Sequence, residues 1–185
     1  MFGVQIRSLL TVVMVSLSAG FVACAPAKTT AVMKEKPAAN ASNDGLLLSD
    51  PDDSKIIAAK ADAIWTLPIF WAKWSAKPPG YSDFALKVAF KVKDHGSEHI
   101  WARPLSRAGA ELVVRLANDP AYLSGLKLGS VVKVVESDVS DWAYARDGKL
   151  YGHFTTRALL GAADPAERAE LERVLAPTPL ESSER

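Results

Sequence analysis

The sequence predicts an α+β domain: an N-terminal helical segment packed on a curved antiparallel sheet of about five or six strands, open or partly closed into a barrel, with a short C-terminal helix. Three observations predict it. Apolar residues recur at helical spacing from Ser54 onward. From Phe84 they change to alternation. The alternating segments are separated by turn chemistry at "KDHGS", "RAGA" and Asp147-Gly148. Helical text first and consecutive hairpins afterwards is the pattern of an α+β fold, with neighbouring strands antiparallel.

The helical segment has Asp53 or Ser54 as its N-cap, since a short polar side chain accepts from the first free amides. Ile57, Ala61, Ile64, Trp65 and Pro68 mark one apolar side at helical spacing. Pro68 lacks an amide hydrogen and is predicted to end or kink the helix. "IFWAKWSA" is then a second helix or the continuation of a bent one. Its aromatic side, Phe70, Trp71 and Trp74, is assigned to the core, and "KPPG" stops it. The strands follow as "FALKVAFKV", "EHIWARPL", "AELVVRL", "SVVKVVESDV", "DWAYAR" and "KLYGHFTTRALL", the last a strand or a strand running into a helix. "ANDPAYLSGLKLG" is a loop, and Asp147-Gly148 forms a tight hairpin turn. In "DPAERAELERVLAP", Asp164 caps a C-terminal helix with Pro165 at its first position. The chain after Pro177 is predicted to be disordered.

The start of the chain predicts export. Arg7 precedes an apolar run from Leu9 to Leu17 and then small residues, the order of a secretory signal peptide. That run is shorter than the ~20 residues a membrane-spanning helix needs. "FVAC" places the single cysteine, Cys24, after small residues. The stretch resembles the lipobox of bacterial lipoproteins, which implies lipidation at Cys24; cleavage after Ala27 is the alternative. By the same resemblance, Ala25 after the cysteine implies the periplasmic side of the outer membrane. The expected organisation is a signal peptide over residues 1–23, a flexible tether over 24–53, the α+β domain over 54–160, and a C-terminal helix and tail over 161–185. The tether is rich in Ala, Lys, Asn, Ser, Pro and Asp, too polar to bury a core. Leu46 to Leu48 either stay in the tether or dock on the domain as a short arm.

Composition narrows the function classes. The formal net charge is +1, with 22 basic and 21 acidic residues. That balance lacks the basic excess of a nucleic-acid binder. One cysteine permits no internal disulfide. There is no nucleophile elbow, phosphate-cradling glycine loop or cofactor fingerprint, so no cofactor is predicted.

The candidate residues gather in two places. In "DHGSEHIW", His95 and His99 stand four apart, but Gly96 and the alternation place them at a hairpin end, which predicts no metal site. Ile100 points inward, which places Glu98 inward or at a rim, with Arg157 or Arg103 as its partner; His99 and Trp101 share the other face. Glu98, His99 and Asp141 form a weak catalytic set, His99 being the base oriented by Asp141. In "DWAYARDGKLYGHFTTR", Trp142, Tyr144, His153 and Arg157, with Trp101, are either sheet-stabilising cross-strand pairs or a binding face.

"TLPIFWAKWSAKPPGYSDFALKVAF", "EHIWA", "LANDP", "GLKLGSVVKV" and "SDWAYARDGKLYGHFTTRALL" occur in an order that resembles the bacterial domain of unknown function family 2314, the YegJ-type proteins. The resemblance runs from about Thr66 to Leu160, with Ser130 where Asp is common and Ala143 where Met is common. It implies a shared domain and carries over no catalytic residues. Three functions follow as expectations: a membrane-tethered binding or adaptor domain for an envelope protein, peptide or glycan; an envelope hydrolase using Glu98, His99 and Asp141; or an immunity-like or stress protein that binds one toxin or ligand.

Overall fold

A computed structural model describes residues 53–93 and 95–184. The export segment, Cys24, the tether and Leu46–Leu48 lie outside the described residues.

Helix α1 (Ser54–Ala76) is one uninterrupted 23-residue helix. The Asp53 carboxylate accepts from the Lys55 amide at 2.8 Å and caps its start, and Lys77, at φ 46°, caps its end with an amide bond to the Lys73 carbonyl. Pro68 does not end the helix. It lies on the exposed side of the helix, as does Ile64, whose carbonyl it leaves without an intrahelical donor.

The buried side of α1 is Ile56, Ala59, Ala63, Thr66, Leu67, Phe70 and Trp71. The stripe marked by Ile57, Ile64 and Trp65 instead faces outward, with exposures of 54%, 44% and 85%. Helical spacing identifies both stripes equally well. What selects the buried one is size: Ala59 and Ala63 let the helix approach the sheet closely.

The sheet contains β1 (Tyr81–Val92), β2 (Gly96–Ala108), β3 (Glu111–Leu116), β4 (Val131–Val135), β5 (Val139–Arg146) and β6 (Lys149–Gly152). All neighbours are antiparallel, in the order β4-β3-β2-β1-β5-β6. It is a curved open sheet with β4 and β6 at its ends. Register shifts interrupt β1 against β5 twice and β2 against β3 once, next to Pro104. Such bulges bend and twist a sheet, and they accommodate a proline that cannot donate to the ladder.

Register assigns the two faces. Leu86 pairs with Ala102 on one side and Trp142 on the other, and Val88 pairs with Ile100. These five side chains are completely buried and form the core beneath α1. The Trp142 indole N–H donates to the Ala63 carbonyl at 2.9 Å, which fixes the helix to β5. Lys87, His99, Trp101 and Asp141 alternate onto the opposite face.

The end of β6 decides what that face becomes. Gly152 and His153 both have left-handed backbone, at φ 73° and 54°. Two such residues in succession turn the strand directly into α2 (Phe154–Leu159). "HFTTRALL" is therefore helical where the sequence left strand and helix open. At Gly152 a Cβ would lie 2.2 Å from the Trp142 carbonyl oxygen.

Helix α3 (Pro165–Val174) begins at Asp164, whose carboxylate accepts from the amides of Ala166 and Glu167. Beyond it the tail covers the outer edge of β6: the Ala176 amide donates to the Leu150 carbonyl and the Gly152 amide to the Pro179 carbonyl. The predicted disorder after Pro177 is corrected. Glu181 is buried, accepts from the phenols of Tyr81 and Tyr144 at 2.6 and 3.0 Å, and pairs with Arg146. Lys73 pairs with Glu184 at 3.1 Å. The tail is polar in composition, yet it supplies the carboxylates that Lys73 and Arg146 require.

Replacing Gly152 with Ala is expected to destabilise the domain by ~3 kcal/mol or more, through both a backbone collision and left-handed strain. Urea denaturation of the variant measures it; wild-type stability would mean that the β6–α2 turn tolerates a side chain.

Candidate functional site

The site is built around Asp141, whose side chain is completely buried on β5. A buried carboxylate must be hydrogen-bonded. Asp141 accepts four times: from the amides of Trp142 (2.8 Å), Phe154 (3.1 Å) and Thr155 (2.8 Å), and from the Thr155 hydroxyl (2.6 Å). His153, the residue at the N-cap of α2, provides no side-chain cap. The carboxylate from β5 takes that role and sits where the helix dipole favours negative charge. Burial pushes its carboxyl above the usual range, opposed by the Thr155 bonds and the charge of Lys87.

Lys87 is the register partner of Asp141 on one side and of Trp101 on the other. Its ammonium donates to the Thr155 hydroxyl at 3.1 Å and lies 5.4 Å from the centre of a Trp101 ring. Thr155 thus accepts from the cation and donates to the carboxylate. Burial lowers the Lys87 pKa, and the Asp141 charge opposes that.

Two imidazoles border this pair. The His153 ring lies 4.8 Å from Trp101. His99 Nδ1 lies 2.8 Å from Ser140 Oγ, whose single proton goes to the Lys87 carbonyl at 3.1 Å. Ser140 must therefore accept from His99, which places the His99 proton on Nδ1 and leaves Nε2 as an acceptor. Both rings are held neutral, with pKa values lowered to about 4. The chief cause is burial; Lys60 and Lys87 add to it at His99, and Lys87 and Arg157 at His153.

The structure separates the expected catalytic set. Glu98 accepts from the amides of Ala121 and Tyr122 at 2.6 and 3.0 Å and braces the loop between β3 and β4. Those amides, rather than Arg157 or Arg103, are its partners. His99 is tied to Ser140, and Asp141 to the start of α2. The hydrogen bonds of the three run in separate directions, so Asp141 does not orient His99.

The expected binding face is also divided. Trp142 and Tyr144 are completely buried in the α1-side core and present nothing to a ligand. Their strand alternates as expected, but the alternation does not say which face α1 covers. The Arg157 guanidinium donates to the carbonyls of Gly152, Leu150 and Ala176, clamping the turn and the tail. Trp101 and His153 remain together at the half-buried surface, beside His99. Sequence reasoning missed Lys87, Ser140 and Thr155. Lys87 read as one lysine on a wet strand face, and only register places it between Trp101 and Asp141.

Among the described residues, no group of three His, Cys, Asp or Glu side chains is placed to hold a metal, and no helix is long and apolar enough to cross a membrane. What the site offers a ligand is one ammonium, two neutral imidazoles and an indole ring. Those groups suit an acidic or hydrogen-bonding ligand with a flat or apolar part.

Comparison with known proteins places this geometry in a family. The model of DUF2314, described as an uncharacterized protein conserved in bacteria, matches residues 53–175. The chain is 32% identical over 93 residues to the uncharacterized protein YegJ of Escherichia coli K12, covering 50% of this chain and 60% of that one. It is 34% identical over 92 residues to a Neisseria meningitidis serogroup B protein that carries the name of an ankyrin repeat protein, covering 48% of this chain and 36% of that one. The chain therefore spans less than two thirds of the length of either relative. No solved structure matches.

The neutral histidines make stability depend on pH. Their folded pKa values lie near 4, below the unfolded value of 6.5, so unfolding takes up protons between those limits. Stability is expected to fall as pH drops from about 6.5 to about 4. Asp141, with its raised pKa, slopes the other way and loses stability as pH rises through its folded value. The histidine contribution is therefore the difference between wild type and a His99→Gln, His153→Asn double variant, read from urea midpoints across this range. Equal slopes in the two proteins would show that neither histidine is held neutral.

Proposed function

Since the chain belongs to the DUF2314 family of uncharacterized bacterial proteins, we propose that it is a binding domain whose ligand surface is the sheet face formed by Lys87, His99, Trp101 and His153. The observation that carries this reading is the complete engagement of Asp141. It braces α2, and the groups around it are left to contact a partner rather than to relay its charge. His153 adds support. It holds a left-handed backbone, where Gly or Asn is less strained, beside Trp101.

The ligand class is an acidic group on an envelope protein, peptide or glycan, received by the Lys87 ammonium with Trp101 against its apolar part. The setting is the periplasmic side of the outer membrane, reached through the signal peptide and lipidation at Cys24. Replacing Cys24 with Ser is expected to move the protein from the membrane fraction to the soluble fraction; an unchanged distribution would refute the anchor.

A photo-crosslinking residue at His99, followed by affinity purification, tests the surface itself. A defined partner is expected, lost in Trp101→Ala and in Lys87→Met while circular dichroism stays native. Equal capture by folded Lys87→Met and Trp101→Ala variants would rule this face out.

A further inference from the structure

Among the described residues, the outward side of α1 is a large apolar feature that neither the core nor the polar face explains. Trp65 is 85% exposed, with Ile57 at 54% and Ile64 at 44%. Ala61, Ile64, Trp65 and Pro68, with Lys60 at the rim, line one groove, and Ile64 and Pro68 continue into a second depression against Leu67, Trp71 and Val139. Scattered apolar residues on a surface need no explanation, but a contiguous stripe containing an exposed tryptophan marks a contact.

We propose that this stripe receives Leu46–Leu48 of the same chain, folded back over Ala61, Ile64 and Trp65. Reach, turn chemistry and charge argue for it. Leu48 and Leu46 stand five and seven residues before Asp53, the cap of α1. A turn over Asp50–Asp53 leaves two and four residues of extended chain, about 7 and 14 Å, to Leu48 and Leu46. Along α1, Lys60 and Pro68 lie about 10 and 22 Å from Asp53. A segment that reverses just before the helix therefore brings Leu48 level with Ile57 and Leu46 level with the near end of the groove at Ala61. The intervening "SDPDD" has the Pro and Asp residues that start such turns. The leucines are flanked by Asp44, Asp50 and Asp52. The receiving groove carries Lys60 at its rim and no carboxylate in its lining. The acidic arm complements that lysine.

Cysteine pairing in the full chain tests it. With Cys24→Ser, the substitutions Leu47→Cys and Ala61→Cys supply the only two thiols. Mild oxidation is expected to close a disulfide within one chain, seen as faster migration of the monomer without reductant and confirmed by peptide mass. In parallel, changing Leu46, Leu47 and Leu48 together to Ser is expected to raise acrylamide quenching of Trp65 at least twofold, with Trp65→Phe used to isolate its emission. Three outcomes would overturn the proposal: disulfide-linked dimers without the internal product, which assign the stripe to a second copy; protection of Trp65 only on addition of phosphatidylglycerol vesicles, which assigns it to a lipid surface; or no internal disulfide together with unchanged quenching.

Discussion

A carboxylate with no exposure to water dictates its surroundings, and Asp141 is the one on which this fold depends. Three of its four acceptor bonds join β5 to the first turn of α2, and the fourth holds the Trp142 amide on β5 itself. That turn exists because Gly152 and His153 reverse the chain out of β6. Gly152 in turn is fixed by closeness to Trp142, whose indole N–H reaches the Ala63 carbonyl on α1. One polar group and one aromatic group, adjacent in sequence and pointing to opposite faces, thus connect the two sides of the sheet. Net gains per hydrogen bond are small, ~1 kcal/mol each, but leaving a buried partner unmet costs more. The network is consequently all-or-none.

The polar face follows from the same constraint. Burial lowers the Lys87 pKa and the Asp141 charge opposes that, while Lys87 in turn lowers the pKa values of His99 and His153. The groups left with capacity are the remaining donors of Lys87, the Nε2 atoms of His99 and His153, and the Trp101 ring. This is a recognition surface made rigid from below, the property a binding face needs if it is to limit the ordering cost of association.

Much of the architecture was legible in the sequence, because strand alternation, Asp147-Gly148, Asp53, Asp164 and Pro165 act locally and mean the same thing in most contexts. What could not be read was long-range. The two apolar stripes of α1 are equal in period, and only packing against the sheet separates them. The tail after Pro177 looked disordered because the partners of Glu181, among them Tyr81, Tyr144 and Arg146, lie far from it in sequence. In the site, Trp101 and His153 were legible as residue types, whereas Lys87 and Thr155 gain their meaning from the register of β1 and from the turn at Gly152. Trp142 and Tyr144 stayed open between a structural role and a binding face because residues common in interfaces are also common in cores.

The most direct measurement is the unfolding free energy of Asp141→Asn beside that of Lys87→Met. Asparagine keeps the shape but turns an N–H₂ group toward amide donors that need an acceptor. The account predicts a loss of about 3 kcal/mol or more for Asp141→Asn, with weakened hydrogen-exchange protection at the amides of Phe154 and Thr155, while Lys87→Met remains folded. Wild-type stability and protection in Asp141→Asn would contradict the central claim, and would return Asp141 to the list of groups free to act on a ligand.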